Sequence, residues 1–279
     1  MLSKEKAHKG AESMDHDVTS QGQQPIAVTT ARRRKQKLRA RAHAIAAKLG
    51  VPFFERQGLG PLSESHGFDW FYVVGHQREE VVSKEGQALF VQPGMFRSKL
   101  ASGHAHPLLK ACSPNQRART LLDCTLGLAH DALHLAGTLP LQVLGAEKSP
   151  VLQCLLEEGL ARLAAQEAPW AEAARRIELY SGDAFTLLKQ LEPNSIDVIY
   201  FDPMMPYHLK ATPAFESMRA AKLGAGDQPD EVVLRRAIDV ARERVVFKQP
   251  KNAKAPPMRV DRVVPGAHVQ YAIFEKNRV

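Results

Sequence analysis

Cysteine is scarce in this sequence: Cys112, Cys124 and Cys154 are odd in number and show no CxxC spacing. That pattern excludes a disulfide framework and a structural zinc site, and it fits a reducing cytoplasm. Long apolar runs are missing as well. None approaches the roughly 20 residues that span a bilayer, so no membrane protein is expected. Residues 1–24 are polar, contain acids and lack the apolar middle of a secretory signal. They read as a disordered leader whose composition cannot build a core. What is present is ordinary for a globular chain, with 44% hydrophobic and 24% charged residues. The 279 residues suffice for one large α/β domain, or for a catalytic domain with a small companion. The formal charge of +8 invites a polyanionic partner.

After the leader, IAVTT reads as a short strand, and residues 31–49 as a helix closed by Gly50. Leu38, Ala42, Ile45 and Leu49 recur at three- and four-residue steps, which gives one buried stripe. The rest of that helix lacks any acid and carries Arg32, Arg33, Arg34, Lys35, Lys37, Arg39, Arg41 and Lys48. A charge run is usually a solvated face; here eight like charges would repel unless countered, and a phosphate backbone is the economical counter-ion. FDWFYVVG, EVVSKEG and ALFVQPG read as short strands joined by turns, so residues 25–105 are expected to form a small basic α+β region.

The rhythm changes near Arg119, and residues 106–279 alternate strand and helix. RTLLDCTLGLAHDAL, LQVLGAEKSP, RIELYSGDAF, SIDVIYFDPMMPY and ERVVFKQP each place a strand before a loop or helix start, the pattern of a parallel sheet covered on both faces. Ser149 and Asp183 sit where helix caps belong, with Pro150 at a first helical position, and a further helix is expected from near Asp230. At the end, MRVDRVVPGAHVQYAIFEK holds two strand-like runs about Pro265-Gly266, a type II turn signal, and so a hairpin that puts an antiparallel strand at the sheet's end. Ligands of such sheets sit beyond the carboxyl ends of the strands, near the switch point. The five strands end at Asp123, Glu147, Asp183, Asp202 and Lys248, so four carboxylates fall in register there.

Asp123-Cys124-Thr125-Leu126-Gly127-Leu128-Ala129-His130-Asp131 resembles the first motif of class I methyltransferases, with Ala129 where a second glycine is usual. A dinucleotide needs that glycine so that backbone can approach its pyrophosphate; S-adenosylmethionine has none. Glu147, about twenty residues past the loop, is where an acid bonds ribose hydroxyls. Asp202-Pro203-Met204-Met205-Pro206-Tyr207 resembles the Asp-Pro motif of amino-group methyltransferases, with Met205 where an aromatic is familiar. There a carboxylate and backbone carbonyls accept hydrogen bonds from an exocyclic amine and aim its lone pair at the methyl group, with no metal required.

Residues 119–250 together resemble the RsmJ-like methyltransferases, which modify guanine N2 in small-subunit ribosomal RNA. LLDCTLGLAHDAL, GAEKSP, VIYFDPMMP with the later SMRAAK, RVVFKQP and the earlier PGMFRSKL carry that likeness. IAVTTARRRKQKLRARAHAIAAKLGVP is similar to a related Gram-positive branch. The resemblance implies a doubly wound, seven-stranded, Rossmann-like class I sheet that finishes in an antiparallel strand. It implies S-adenosylmethionine held by Asp123, Gly127, His130, Asp131, Glu147, Lys148, Asp183, Ala184 and Asp202, with Asp202 and the Pro203 carbonyl orienting the amine. Tyr207 would stack a splayed base, Arg219 and Lys248 would meet phosphate, and Phe96 with Arg97 would line the substrate mouth, although plain core is the commoner place for such a Phe. For Lys248 the plainer reading is a surface lysine. Three alternatives stay open at this point: an adenine-N6, protein or small-molecule amine methyltransferase; an RNA-binding protein that keeps the fold without catalysis; and, more distantly, a nicotinamide oxidoreductase.

Overall fold

The computed structural model describes residues 26–31, 36–55, 67–94, 96, 105–203 and 228–276. The expected leader and Arg32, Arg33, Arg34 and Lys35 of the basic segment lie outside these residues.

The N-terminal part holds β1 (Ile26–Thr30), α1 (Gln36–Leu49), β2 (Trp70–Val74), β3 (Glu79–Ser83) and β4 (Ala88–Leu89), in one sheet of order β1-β2-β3-β4. Strands β1 and β2 run parallel, which requires a crossover, and α1 lies within it. The helix begins later than expected. Ala31 N–H donates to the Val74 carbonyl at 2.9 Å, so that residue prolongs the β pairing instead. Ala42, Ile45 and Ala46 are its buried residues, with Leu38 and Leu49 partly covered, and Gly50 turns the chain away at φ +64°. Three of the charges on α1 find protein partners. Arg39 pairs with Glu55 at 2.7 Å, Arg41 with the buried Glu79 at 3.0 Å, and Lys48 with Glu157 at 2.7 Å. Three of the eight cations are thus countered within the protein, by acids distant in sequence, where a phosphate backbone was the economical expectation.

The second sheet contains β5 (Thr120–Asp123), β6 (Gln142–Glu147), β7 (Ile177–Ser181), β8 (Ile196–Phe201), β9 (Ala241–Pro250), β10 (Arg262–Pro265) and β11 (Val269–Glu275), in the order β10-β11-β9-β8-β5-β6-β7. Among the described residues its helices are α2 (Pro107–Cys112), α3 (His130–Thr138), α4 (Pro150–Ala164), α5 (Ala171–Arg175), α6 (Ala184–Gln190) and α7 (Glu231–Val240). Strand β8 shows how two layers are coded. Val198 and Tyr200 enter the core shared with α3 and α4, while Ile199 and Phe201 enter the one shared with α6 and α7. Alternate side chains leave opposite faces, so a strand covered on both sides is apolar throughout. Ser149, Asp183 and Asp230 cap α4, α6 and α7 through their side chains, as their positions foretold.

The hairpin forms, with two differences from expectation. Strand β11 is antiparallel to β9 but sits between β9 and β10, so the edge strand β10 runs with the parallel set. Gly266 does not adopt the positive φ of a type II turn. Its N–H instead donates to the Val269 carbonyl at 2.9 Å, the same oxygen that an added Cβ would meet at 2.9 Å.

The two expected segments, 25–105 and 106–279, meet in one continuous core containing Trp70, Tyr72, Val91 and Phe96 beside Leu133 and Leu155. Val91 packs over Gly159 and the Phe96 ring over Gly137, at approaches a side chain on either glycine would block. Phe96 is therefore a core residue, 2% exposed, and not part of a substrate mouth. Among the described residues, no helix is long and apolar enough to cross a membrane.

Candidate active site

The chain passes β5, β6 and β7 in one direction across the sheet, then returns to β8 on the other side of β5. That reversal opens the crevice at the carboxyl ends of β5 and β8. The loop after β5 is fastened to both neighbours: Cys124 N–H donates to the Tyr200 carbonyl at 2.9 Å and Leu126 N–H to the Ala146 carbonyl at 3.1 Å. Gly127 (φ +57°) and Ala129 (φ +60°) then turn it into α3. For alanine the left-handed conformation costs roughly 1–2 kcal/mol. Ala129 is fully buried and its methyl joins the hydrophobic core. The departure from glycine is thus absorbed by packing.

A cleft of about 350 Å³ opens beside this loop, lined by Thr125, Glu147, Lys148, Asp183, Ala184 and Phe185 among others. That volume includes open solvent, so the cleft is an open one, bounded by the ends of β5, β6 and β7. Glu147 is the anchor. Its Oε2 accepts from Gly127 N–H at 3.0 Å and its Oε1 from Ser149 N–H at 2.8 Å, which ties the β5 and β6 loops together. The Lys148 N–H bears on the same carboxylate, whose remaining lone-pair capacity is open to a hydroxyl donor. Asp183 uses Oδ2 to cap α6, accepting from Thr186 N–H at 2.8 Å; among the described residues nothing donates to its Oδ1. Two carboxylates and a phenyl ring suit a cationic ligand with hydroxyls, an amine and an aromatic base. They are poor partners for a pyrophosphate. The donor set thus fits S-adenosylmethionine.

Burial pushes the Glu147 carboxyl up to about 7. Below that pH it holds a proton and accepts less well, so affinity for S-adenosylmethionine is expected to rise about tenfold from about pH 6 to pH 8, checked by calorimetric titration. The sign for stability is opposite. Between the unfolded value near 4.5 and the folded value near 7 the folded state binds more protons, so the free protein loses stability as pH rises through this window.

The remaining predicted residues divide between the loop and a polar cluster. Asp123, 2% exposed, accepts from Thr125 N–H at 2.9 Å, and burial raises its carboxyl to about 7. Asp131 accepts from the Tyr200 hydroxyl at 2.7 Å and from Lys248 Nζ at 2.8 Å. Lys248 Nζ also donates to Asp202 Oδ2 at 2.6 Å. Lys248 is therefore no surface lysine: its side chain is 18% exposed and spans two carboxylates. A phosphate contact is displaced for the same reason, since both acids already satisfy the charge. Burial opposes the Lys248 charge, yet those two carboxylates hold its pKa well above the ordinary lysine value. Asp202 rises to about 6, through burial first and then Asp131, against the pull of Lys248. Gly127, His130, Asp131 and Asp202 do not line the cleft. Pro203 is buried beside Asp202; Arg97, Met205, Tyr207 and Arg219 lie outside the described residues.

Sequence reasoning missed Thr125, Tyr200 and Phe185. Thr125 lines the cleft, and its Oγ1 accepts from Asp202 N–H at 2.6 Å, so one side chain joins the cleft to the Asp-Pro segment. Its place in the motif loop was a signal. Tyr200 had none, being one aromatic in an apolar strand.

Comparison with known proteins agrees with this geometry. The profile of a family described as "Putative SAM-dependent methyltransferase" matches residues 78–271. The uncharacterized protein YpiP of Bacillus subtilis is 33% identical over 228 residues, covering 79% of this chain and 87% of that protein. A protein named ribosomal RNA small subunit methyltransferase J, from Thioalkalivibrio sulfidiphilus, is 32% identical over 247 residues, covering 85% of this chain and 93% of its own. Among solved structures, the SAM-dependent methyltransferase NGO1261 of Neisseria gonorrhoeae superposes with a TM-score of 0.64 at 20% identity, covering 90% of this chain and 96% of that one, a likeness of fold. A cleft suited to S-adenosylmethionine at the switch point and a family match over most of the sequence lead to one conclusion: the chain belongs to the SAM-dependent methyltransferases, and S-adenosylmethionine is its methyl donor.

Proposed function

We propose that this methyltransferase acts on the exocyclic N2 amino group of a guanine in small-subunit ribosomal RNA, in the cytoplasm. The observation that carries the reading is the pairing of Asp202-Pro203 with the cofactor cleft through Thr125, with no N–H or O–H among the described residues donating to Asp202 Oδ1. The relatives named ribosomal RNA small subunit methyltransferase J supply the substrate class.

In this reading Glu147 takes the ribose hydroxyls, Asp183 the adenine amine and Phe185 the face of the base, with Lys148 and Ala184 completing the wall. Asp123 and Gly127 shape the loop that holds them. When bound, S-adenosylmethionine supplies an electrophilic methyl group on a positive sulfur. Asp202 and the Pro203 carbonyl accept the two amine hydrogens and turn the nitrogen lone pair toward that methyl. As the nitrogen–carbon bond forms and the carbon–sulfur bond breaks, the surplus proton of the nitrogen passes to Asp202. Tyr207, in this reading, stacks the base.

The RNA backbone needs cations that the protein has not already neutralised. Lys251, Lys254 and Arg259, in the segment after β9, are exposed and make no ion pair among the described residues. They follow Lys248 along the chain, so they begin roughly 10 Å from it at strand spacing. Replacing all three by glutamine is expected to flatten the salt dependence of RNA binding. The slope of log K against log salt falls by about two, as measured by filter binding.

The function itself is tested by incubating the purified protein and labelled S-adenosylmethionine with small-subunit RNA transcribed in vitro, and with small ribosomal subunits lacking the modification. Label recovered as N2-methylguanine after nuclease digestion supports the proposal. Label on adenine N6, or on protein alone, overturns the choice of substrate.

A further inference from the structure

A lysine bridging two carboxylates inside a fold is an unusual device, because taking three charges out of water costs far more than a surface pair returns. Here the device stands behind the acid that faces the substrate. Lys248 leaves β9 and reaches Asp202 Oδ2 at 2.6 Å and Asp131 Oδ2 at 2.8 Å; the Tyr200 hydroxyl donates to that same Asp131 oxygen at 2.7 Å. Side-chain exposure falls from Asp202 at 27% through Lys248 at 18% to Asp131 at 9%, so the chain of contacts runs from the site mouth into the core. The same arrangement orients the Asp202 carboxylate. Oδ2 takes the ammonium, Thr125 holds the backbone N–H, the Asp131 carboxyl lies within hydrogen-bonding reach, and among the described residues no N–H or O–H donates to Oδ1.

We propose that Lys248 is a positioning residue for methyl transfer: it turns the Asp202 carboxylate so that Oδ1 meets the substrate amine and keeps that carboxylate ionised, while Asp131 and Tyr200 hold the ammonium in place. It touches neither the amine nor the methyl group. The inference rests on the role given to Asp202 above. The groups that bear on Asp202 and Lys248 come from every neighbouring element described: Asp123 from β5, Asp131 from α3, Tyr200 from β8 and Tyr271 from β11. Lys248 is the one among them that stabilises the Asp202 anion.

Two substitutions should therefore move the enzyme in opposite directions. With Lys248→Met the turnover number is expected to fall about a hundredfold, with the Kd for S-adenosylmethionine within about threefold. The acid limb of the turnover profile should move up by about one pH unit or more, because Asp202 has lost its counter-charge. With Asp131→Asn, Lys248 serves Asp202 alone, so the limb should move down. Lys248→Arg retains the charge and should return the limb toward its original position. Turnover is measured on unmodified small-subunit RNA at saturating S-adenosylmethionine, with circular dichroism melting of each variant. A Lys248→Met enzyme with ordinary turnover, or limbs that shift the same way in Lys248→Met and Asp131→Asn, overturns the proposal. If Lys248→Met does not fold, the Asp131→Asn and Lys248→Arg profiles decide, and an unmoved or raised limb in Asp131→Asn overturns it. An inactive Asp202→Ala beside a fully active Lys248→Met would remove this inference alone. An active Asp202→Ala would remove the role of Asp202 itself.

Discussion

Asp202→Ala is expected to lower single-turnover methyl transfer about a thousandfold while the Kd for S-adenosylmethionine stays within about threefold. The size follows from what is lost. A positioned group that accepts a proton or orients a nucleophile contributes roughly 10²–10⁴ in rate. The selectivity follows from place, because Asp202 stands outside the cleft lining and meets it only through its backbone N–H on Thr125, which alanine retains. Lys248 keeps its bond to Asp131 at 2.8 Å, so the cluster loses one partner and not its anchor. Labelled-methyl transfer to unmodified small-subunit RNA, with calorimetric titration of the cofactor, measures both quantities. Turnover like that of the unaltered enzyme would falsify the role given to Asp202.

For Glu147→Gln the expected pattern is reversed: affinity for S-adenosylmethionine falls about a hundredfold, or about 2.8 kcal/mol, and turnover at saturation changes by less than about threefold. Glu147 accepts from two backbone N–H groups on different loops. Glutamine has one acceptor oxygen and a donor in place of the other, so either Gly127 or Ser149 would face a donor. Charge-assisted bonds of this kind are each worth about 1.5–3 kcal/mol. Glutamine also removes the titrating group, so the tenfold rise in affinity between about pH 6 and pH 8 should disappear. A pH dependence that survives the substitution would assign it to Asp123, which burial likewise raises to about 7.

What the sequence disclosed about this protein was local in origin. Ser149-Pro150, Asp183 and Asp230 announced helix starts because a cap bonds a backbone N–H two or three residues ahead. The apolar run of β8 announced a strand covered on both faces, and the loop from Asp123 to Asp131 announced the ligand end of the sheet. The errors share a different origin. Lys248 and its partner Asp131 stand 117 residues apart, and the cations of α1 meet acids 16, 38 and 109 residues away. No spacing rule connects such pairs, so the lysine read as surface and the helix as unneutralised. The hairpin was legible, yet the exchange of β10 and β11 was not, since either order places the same apolar residues on the sheet. For Glu147, Lys148, Asp183 and Ala184 the predicted set coincides with the lining of the cleft; Asp131 and Asp202 meet Lys248 instead.

The shared core beneath Val91 and Phe96 bears on how the chain is made. Strands β1 to β4 are complete by Leu89, but the glycines that receive Val91 and Phe96 are Gly159 and Gly137, and Lys48 awaits Glu157. At roughly 5–20 residues per second of synthesis, the first sheet waits several seconds for its other half. During that interval Trp70, Tyr72 and Ile45 have only the N-terminal share of the core, such as Val28, Ala42, Val81 and Leu89, to pack against. Vectorial emergence thus leaves the N-terminal unit half-dressed, and a ribosome stalled between residues 90 and 160 would hold out a sheet whose inner face is covered by α1 alone.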